Sequence, residues 1–478
     1  MFNAFKITGA LRHSKIWNNM TVGRRASGIG HRESGIGNHL SLITYHLSLT
    51  MSDLISLLKP FGQEHLLRFW DSLNEQEQSC LSAQIRNIDF RLIAELYQNR
   101  DHTIDLAPFE QRAKDPPAYK FGELSEGNPD YSAPKKIGKA DAIQLGQEAL
   151  AKGTYAVMIV AGGQGTRLGF PHPKGMYPIG LNGETLFQIH FEKVVALTKK
   201  YGVVVPLCIM TSPATHDETV EYLGQNDWFG ITPENRFLFC QGTMPAVSML
   251  NGKVLLADKG TLALSPDGHG GMLAAINKQS ILDQLQERGI KHLFYFQVDN
   301  PFVDICSPEF LGYHLASGSE MTSQAIRKRE PSDRVGNVVE LDGKLHVIEY
   351  SDIPESLANR RFPDGSLQIW AGSIAVHQFD LGFLRRVSPI ASALPFHIAK
   401  KKVSYVDEHG QMVVPQEPNA IKFERFIFDL MPSANNAVVV EVDIPNNYGP
   451  LKNAPGSATD SPETVKAQLL EMDRRRSS

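Results

Sequence analysis

The chain has 478 residues, enough for two or three domains and a large buried core. Its 48 Lys and Arg against 52 Asp and Glu give a net charge of −4, so no general electrostatic attraction to nucleic acid or to a membrane surface is expected. With 42% hydrophobic and 21% charged residues, the composition excludes an intrinsically disordered chain.

The cysteines and the hydropathy pattern set further limits. The four cysteines are far apart in sequence and form no CxxC pair, which suggests neither a disulfide framework nor a zinc site. No apolar run approaches the roughly 18 residues that a transmembrane helix requires. We therefore expect a folded cytoplasmic protein that binds neither nucleic acid nor a membrane.

Residues 1–50 differ from the rest of the chain. They contain six basic residues and one acid, and they repeat Ser-Gly-Ile-Gly at 27–30 and 34–37. An Arg-rich, acid-poor start is also typical of a transit peptide. Because Met51 opens a clean helical pattern, our preferred hypothesis is that translation begins there and that 1–50 is a non-native or disordered extension.

The remaining chain divides into three predicted regions. Apolar residues at helical spacing predict a helical N-terminal region over 51–140. Over 141–399, short apolar runs alternate with helical patterns, which predicts an α/β domain with a mainly parallel sheet. A β-type run near residue 440 and a final helix predict a small C-terminal lobe over 400–478. The apolar runs are at 155–161, 203–210 and 293–298, and the helical patterns include 186–199 and 271–288.

One strand in this domain leads directly into a glycine-rich segment. It reads Ala-Gly-Gly-Gln-Gly-Thr-Arg-Leu-Gly over 161–169, and Pro-Lys-Gly follows at 173–175. Glycines let backbone N–H groups approach phosphate oxygens, while Arg167 and Lys174 add positive charge. The spacing matches neither the P-loop nor the GxGxxG dinucleotide motif. The segment therefore predicts a phosphate-binding loop of another kind.

These residues resemble the signature of the UDP-sugar pyrophosphorylases, and most closely that of their UDP-N-acetylglucosamine pyrophosphorylase branch. Further matching blocks follow in the family's order, at 241–246, 265–271, 298–300, 347–351, 419–424 and 450–453. The resemblance spans about 155–455. It implies a glycosyltransferase-A-like nucleotide-binding domain and an Mg²⁺-dependent uridylyltransferase that joins UTP to a sugar 1-phosphate and releases pyrophosphate.

The resemblance also implies roles for individual residues. Gln241 offers a donor and an acceptor to the edge of a uracil, and Asp299 follows an apolar strand, where a carboxylate can hold Mg²⁺ between two phosphates. Arg167, Lys174 and Lys422 are the implied catalytic cations, because a transferred phosphoryl group develops negative charge. The implied UTP-binding residues are Ala161, Gly162, Gly163, Lys174, Gln241, Gly268, Asp299 and Lys422.

The sugar is less clearly specified than the reaction. The N-acetylglucosamine branch usually has Asn where this chain has His269 and Ser373, and a His after Pro-x-Gly is typical of glucose-specific and broad-specificity relatives. Overall block similarity favours N-acetylglucosamine 1-phosphate as the substrate. A glucose-1-phosphate uridylyltransferase or a broad-specificity UDP-sugar pyrophosphorylase is the alternative. The implied sugar-binding residues are His269, Gly336, Glu349, Tyr350, Ser373 and Lys452.

Two other classes of protein share such a nucleotide-binding fold. A catalytically idle UDP-sugar sensor is expected to lack the cationic and metal-binding residues, all of which are present here. A glycosyltransferase is expected to lack the phosphate loop, and it would release UDP instead of pyrophosphate. The sequence therefore favours a uridylyltransferase over both.

Overall fold

The computed structural model describes residues 50–100, 110–120, 136–389 and 394–477. The predicted extension at 1–50 lies outside these residues except for Thr50. Residues Leu49–Ser478 pack as one unit, and the boundaries that we expect at 140 and 399 within it stay predictions. No helix among the described residues has the length and apolar character that a membrane crossing requires.

The described residues alternate between helices and strands over most of their length. The helices are α1 (Met51–Leu58), α2 (Glu75–Arg86), α3 (Phe90–Gln98), α4 (Lys139–Ala151), α5 (Leu186–Tyr201), α6 (His216–Gln225), α7 (Met272–Lys278), α8 (Ile281–Glu287), α9 (Pro308–Ser317), α10 (Glu355–Ala358), α11 (Leu381–Val387), α12 (Ile444–Asn447) and α13 (Pro462–Ser477). The strands are β1 (Ala118–Tyr119), β2 (Tyr155–Val160), β3 (Leu207–Thr211), β4 (Arg236–Cys240), β5 (Thr243–Pro245), β6 (Val247–Ser248), β7 (Leu256–Asp258), β8 (Thr261–Leu262), β9 (Leu264–Pro266), β10 (His292–Gln297), β11 (Met321–Arg327), β12 (Gly336–Leu341), β13 (Lys344–Ile348), β14 (Ala371–Asp380), β15 (His397–Lys401), β16 (Tyr405–Val406), β17 (Met412–Val413), β18 (Ala420–Glu424) and β19 (Val438–Glu441).

A large, mostly parallel sheet organises the fold, as the sequence predicts. Its strands lie in the order β1-β19-β11-β14-β10-β2-β3-β4, and β14 runs antiparallel to both of its neighbours along this path. Alternate residues of β2 face opposite cores: Val157 and Ile159 point into one, Ala156 and Met158 into the other. A sheet that is covered on both faces needs apolar residues at every position, which explains the unbroken apolar run.

The N-terminal helices pack around a smaller sheet, whose strands lie in the order β15-β18-β6. A capping box between Thr50 and Asp53 begins α1, and one between Asn74 and Glu77 begins α2. The apolar faces of α1, α2 and α3 form one core with residues of β6 and β18. Since β18 also carries Lys422, this helical region supports one wall of the site described below.

In two parts of the chain the structure differs from the arrangement that the sequence pattern predicts. The helical pattern over 271–288 forms two helices, α7 and α8, because Ser280 between them has a φ of +54°. Near the C-terminus, β19 lies inside the large sheet between β1 and β11. The region after residue 400 therefore contributes a strand to the same sheet as the phosphate loop.

Candidate active site

The carboxyl ends of four parallel strands supply one side of the site. The strands β10, β2, β3 and β4 lie side by side and run in one direction, so the residues that follow them meet at one edge of the sheet. Asp299 follows β10, Gly162 and Gly163 follow β2, and Gln241 follows β4. The structure thus brings the phosphate loop, the predicted metal ligand and the predicted uracil contact together.

The phosphate loop is held in place by local hydrogen bonds. The backbone N–H of Lys174 donates to the carbonyl of Gly163 at 2.9 Å, and the hydroxyl of Ser212 donates to the carbonyl of Gly162 at 2.7 Å. A Cβ at Gly162 would lie 3.3 Å from both Ser212 and the side chain of Gln241. Glycine at this position therefore keeps the loop close to Gln241, the predicted uracil contact.

A second wall is formed where the loop between β9 and α7 packs on the end of β18. Gly268 has a φ of +85°, and a Cβ there would lie 2.3 Å from the carbonyl oxygen of Arg425. The Arg425 N–H donates to the carbonyl of Asp267 at 2.8 Å, and its guanidinium forms a buried ion pair with the Asp267 carboxylate, also at 2.8 Å. This contact fixes the loop relative to the strand that carries Lys422.

These two walls enclose a cavity of about 270 Å³. Ala161 is fully buried behind the loop, where its N–H donates to the carbonyl of Met210 at 2.7 Å. Arg167 is exposed and lines neither this cavity nor the next one, so its catalytic role stays a prediction. The predicted UTP-binding residues that line the cavity are Gly162, Gly163, Lys174, Gln241, Gly268, Asp299 and Lys422.

A second cavity, of about 200 Å³, shares part of its lining with the first. His269, Gln297 and Asp299 line both cavities, so the two spaces meet at these residues. The predicted sugar-binding residues all line the second cavity: His269, Gly336, Glu349, Tyr350, Ser373 and Lys452.

Three of the sugar-side residues are neighbours across the large sheet. Gly336 begins β12 and pairs with Ser373 of β14, while Glu349 directly follows β13 on the other side of β12. A Cβ at Gly336 would lie 2.6 Å from a methyl group of Val347, so glycine is needed for the close approach of β12 to this side chain. Burial raises the pKa of Glu349, and the charge of the nearby His397 opposes that shift.

Asp299 lies near two lysines at the junction of the cavities. The Nζ of Lys174 is 3.7 Å from its carboxylate. Burial alone would lower the pKa of Lys452, but Asp299, Tyr448 and Asp460 together more than offset burial, and the Lys452 pKa is raised. The N–H of Leu451 donates to the backbone carbonyl of Asp299 at 2.8 Å, which anchors the segment that carries Lys452.

His269 is a neutral hydrogen-bonding group at this junction. Burial lowers its pKa to about 4, and the positive charge of His397 acts in the same direction. The N–H of Ile427 donates to Nδ1 of His269 at 3.2 Å, so the single ring proton is on Nε2. The ring stacks on Phe426 with centroids 5.1 Å apart, which fixes its orientation. His269 is therefore a donor, and not a cation, toward a ligand.

The structure adds residues that the sequence analysis missed. Tyr448 and Arg334 line the sugar-side cavity, and Tyr448 lies just two residues before a block that the sequence analysis recognised. Beneath the site, the buried ammonium of Lys193 donates to the carbonyls of Pro301 and Val303 at 2.6 and 2.8 Å. Lys193 is on α5, and it holds the turn that follows Asp299 more than a hundred residues later. The sequence offers no local signal for this contact.

Comparison with known proteins agrees with this geometry. The profile of a family described as UTP--glucose-1-phosphate uridylyltransferase matches residues 130–460, which is well over half of the chain. The chain belongs to this family.

Several relatives within the family match most of the chain. It is 37% identical over 435 residues to the UDP-N-acetylglucosamine pyrophosphorylase of Saccharomyces cerevisiae, covering 88% of this chain and 90% of that one. It is 35% identical over 441 residues to a human UDP-N-acetylhexosamine pyrophosphorylase-like protein 1, covering 87% of this chain and 83% of that one.

A solved structure extends the likeness to the fold. The uridine diphosphate N-acetylglucosamine pyrophosphorylase from Trypanosoma brucei, solved in complex with an inhibitor, matches with a TM-score of 0.73 and 26% identity, covering 89% of this chain and 86% of that one.

Proposed function

We propose that this uridylyltransferase joins UTP to N-acetylglucosamine 1-phosphate, giving UDP-N-acetylglucosamine and pyrophosphate. The observation that carries the proposal is the pair of cavities that meet at Asp299 and His269, one lined by the phosphate loop and the other by the residues around Gly336. The names of the yeast and trypanosome relatives support the choice of sugar.

Two finer assignments belong to the same proposal. We assign the nucleotide-binding part of the chain to the glycosyltransferase-A-like type, because its phosphate loop and Asp299 both follow neighbouring parallel strands. We also propose that the protein acts in the cytoplasm. The described cysteines, Cys80, Cys208, Cys240 and Cys306, are all free thiols, which is typical of a reducing compartment.

The reaction needs positioning and charge neutralisation more than covalent chemistry. An oxygen of the sugar phosphate attacks the α-phosphorus of UTP in line, the new P–O bond forms, and the bond to pyrophosphate breaks. Lys174, together with Arg167, neutralises the UTP phosphates and the leaving pyrophosphate. Lys422 lines the first cavity from β18, and we assign it to the attacking sugar phosphate; Lys452 lines the second cavity and adds positive charge beside Asp299. Each of these groups acts as a fixed cation, so no enzyme-bound intermediate is required.

The donor set at the junction fits Mg²⁺. Asp299 is only 8% exposed and lies where both cavities meet. Magnesium is commonly bound by one or two carboxylates together with substrate phosphates, so a single well-placed carboxylate is sufficient. We propose that Asp299 holds Mg²⁺, which when bound supplies charge neutralisation for the phosphate oxygens.

The choice of sugar is tested by measuring pyrophosphate release from UTP and Mg²⁺ with three sugar phosphates in parallel, those of N-acetylglucosamine, glucose and galactose. We expect the highest kcat/KM with N-acetylglucosamine 1-phosphate. A preference for glucose 1-phosphate would assign the chain to the alternative specificity and make His269 and Ser373 the residues that set it. Release of UDP without pyrophosphate, or no turnover with any of the three, would overturn the proposed reaction.

The metal role is tested by Asp299→Asn, with Asp283→Asn as the matched control. Asp283 is an exposed carboxylate paired with Arg385 away from both cavities. We expect the first variant to lose at least about 100-fold in kcat and to need more Mg²⁺ for half-maximal rate, because a metal at the phosphates contributes several kcal/mol. An unchanged Mg²⁺ dependence in Asp299→Asn would contradict the assignment.

A further inference from the structure

A cluster of side chains of the types that bind metal ions lies at the opposite end of strand β10 from Asp299. His292 is the first residue of β10 and pairs across the antiparallel ladder with Asp380, the last residue of β14. His314 of α9 completes the group, and one ligand atom from each residue lies within 4.8 Å of the others. Among the residues that the structure describes, this is the one group of three such side chains with this geometry.

The three side chains converge on one carboxylate oxygen. The Nδ1 of His292 is 2.7 Å from Oδ1 of Asp380, and Nε2 of His314 is 3.2 Å from the same oxygen. Two ligands bound to one tetrahedral zinc ion at about 2.0 to 2.1 Å are separated by roughly 3.3 Å. An ion between these groups therefore requires Nδ1 of His292 and Oδ1 of Asp380 to separate by about 0.6 Å, and the two imidazole nitrogens, which lie within 4.8 Å of each other, to approach to about 3.3 Å.

The surrounding residues hold the two imidazoles in this orientation. Nδ1 of His314 lies 2.8 Å from the hydroxyl of the buried Thr322, so Nε2 is the nitrogen left to face the cluster. A hydrogen bond from the second ring nitrogen is the usual support of a metal-binding histidine. His292 is held by stacking on Tyr155, with ring centroids 4.8 Å apart. All three ligands lie on helices or strands, so their positions are set by the fold and not by a loop.

The neighbourhood also contains a buried polar group without a partner. The hydroxyl of Tyr155 is fully buried and has no hydrogen-bond partner among the described residues. Burial raises its pKa, and the negative charge of Asp380 raises it further. Buried hydroxyls are nearly always hydrogen-bonded, so an absent polar species beside the cluster would account for this one.

We propose that His292, His314 and Asp380 form a binding site for a Zn²⁺ ion that is separate from the active site. Two imidazoles and one carboxylate are typical ligands of zinc and not of Mg²⁺, which prefers oxygen. The side chain of Asp380 is 37% exposed, whereas that of His314 is 1% exposed, so solvent reaches the carboxylate side and can supply a fourth ligand there. Asp299 is seven residues after His292, just beyond the end of β10, and seven residues of extended strand span roughly 23 Å. The ion therefore does not take part in phosphoryl transfer.

Such an ion would add a cross-link between elements that the β10–β14 ladder and the contacts of the two histidines with Asp380 already join. His292 and Asp380 belong to neighbouring strands of the large sheet, and His314 belongs to the helix α9 on its face. Binding to the folded state alone raises stability by mass action, by about 2.7 kcal/mol when free zinc is 100 times its dissociation constant. The site therefore has a structural role.

The test begins with the purified full chain, freed of metal by a chelator and then exposed to Zn²⁺ or Co²⁺. We expect one zinc per chain to remain after gel filtration, a rise in the unfolding temperature with zinc, and the visible absorption of four-coordinate Co²⁺. Absence of bound zinc at micromolar free metal would overturn the proposal, whatever the activity of the enzyme.

Variants then locate the ion. His292→Gln and Asp380→Asn are each expected to weaken zinc binding by more than about 100-fold, and Thr322→Val by about 10 to 100-fold, because it removes only the supporting hydrogen bond. The matched control is His409→Gln, which alters an exposed histidine beside Glu408. If one of the cluster variants does not fold, the others still decide the matter. Equal zinc binding by the cluster variants and the control would place the ion elsewhere and refute the site.

Discussion

Replacing Gly268 by alanine tests how the two walls of the active site are joined. In the folded chain Gly268 has φ and ψ of 85° and 166°, a region that residues other than glycine rarely enter. The added Cβ would lie 2.3 Å from the carbonyl oxygen and 2.7 Å from the nitrogen of Arg425, where ordinary contacts begin near 3.4 Å. The loop and the end of β18 must therefore separate by about 1 Å to make room.

The expected loss of stability has two sources, the backbone strain at residue 268 and the close contact with Arg425. Backbone strain in this region costs of order 1–3 kcal/mol, and an overpacked buried contact costs a further 1–3 kcal/mol, so we expect a loss of about 2 to 6 kcal/mol in unfolding free energy. A 1 Å displacement of groups that position a substrate can lower the rate by about 100-fold. Because the shift moves Lys422 relative to the phosphate loop, we expect kcat/KM to fall by at least that factor.

The assay compares Gly268→Ala with Gly289→Ala by urea unfolding and by pyrophosphate release. Gly289 has a similar φ of +78°, but a Cβ there meets nothing within 4 Å, so this control carries only the backbone strain, about 1–2 kcal/mol. We expect the control to keep its kcat/KM once folded. If the two variants lose equal stability and both keep full activity, the contact between the loop and β18 does not position the site, and the reasoning is wrong.

Three further predictions address charge. Lys174→Ala should lower kcat by at least about 100-fold with the fold intact, while the control Lys199→Ala, at an exposed lysine, should leave kcat unchanged. Near-normal turnover by Lys174→Ala would refute the role of Lys174 in catalysis. Arg425→Met leaves Asp267 buried without its ion-pair partner and should cost about 3–5 kcal/mol, part of which a second change, Asp267→Asn, should restore in urea unfolding. Burial lowers the pKa of His190 from 6.5 to about 3, so the unfolded chain binds more protons than the folded chain below pH 6.5 and the unfolding free energy falls as the pH falls. His190→Gln should remove about 2–3 kcal/mol of the stability that is lost between pH 7.5 and 4.5. An equal loss of stability in the variant and the unchanged protein would contradict this.

The parts of the fold that sequence predicts are those whose signal is local. The run from Tyr155 to Val160 is apolar at every position because both faces of β2 are covered, and glycines follow it at once. Asp299 likewise stands directly after an apolar run. Since parallel strands share one carboxyl edge, these local patterns are sufficient to predict that the phosphate loop and Asp299 lie together.

The parts that sequence could not predict depend on contacts between distant residues. The ion pair between Asp267 and Arg425 joins segments 158 residues apart, and nothing near either residue indicates the partner. Gly336 meets Ser373 where β12 pairs with β14, and it meets Glu349 at the open end of the β12–β13 hairpin. Family resemblance could name these residues, but it could not supply the register that brings them to one cavity.

The two lysines predicted for the later part of the chain reach the site by different physical means. Lys452 follows a segment that is bonded to the end of β10: the Asn300 amide donates to the carbonyl of Asn447 at 2.8 Å, and the N–H of Leu451 donates to the carbonyl of Asp299, also at 2.8 Å. Its place is therefore tied to the strand that carries the metal-binding candidate. Among the residues that the structure describes, β18 pairs with β15 and β6 of the smaller sheet and with no strand of the large one, so Lys422 has no such bond to the large sheet. Because the contact at Gly268 connects that smaller sheet to the cavity, a change there should displace Lys422 while leaving Lys452 and Asp299 in place.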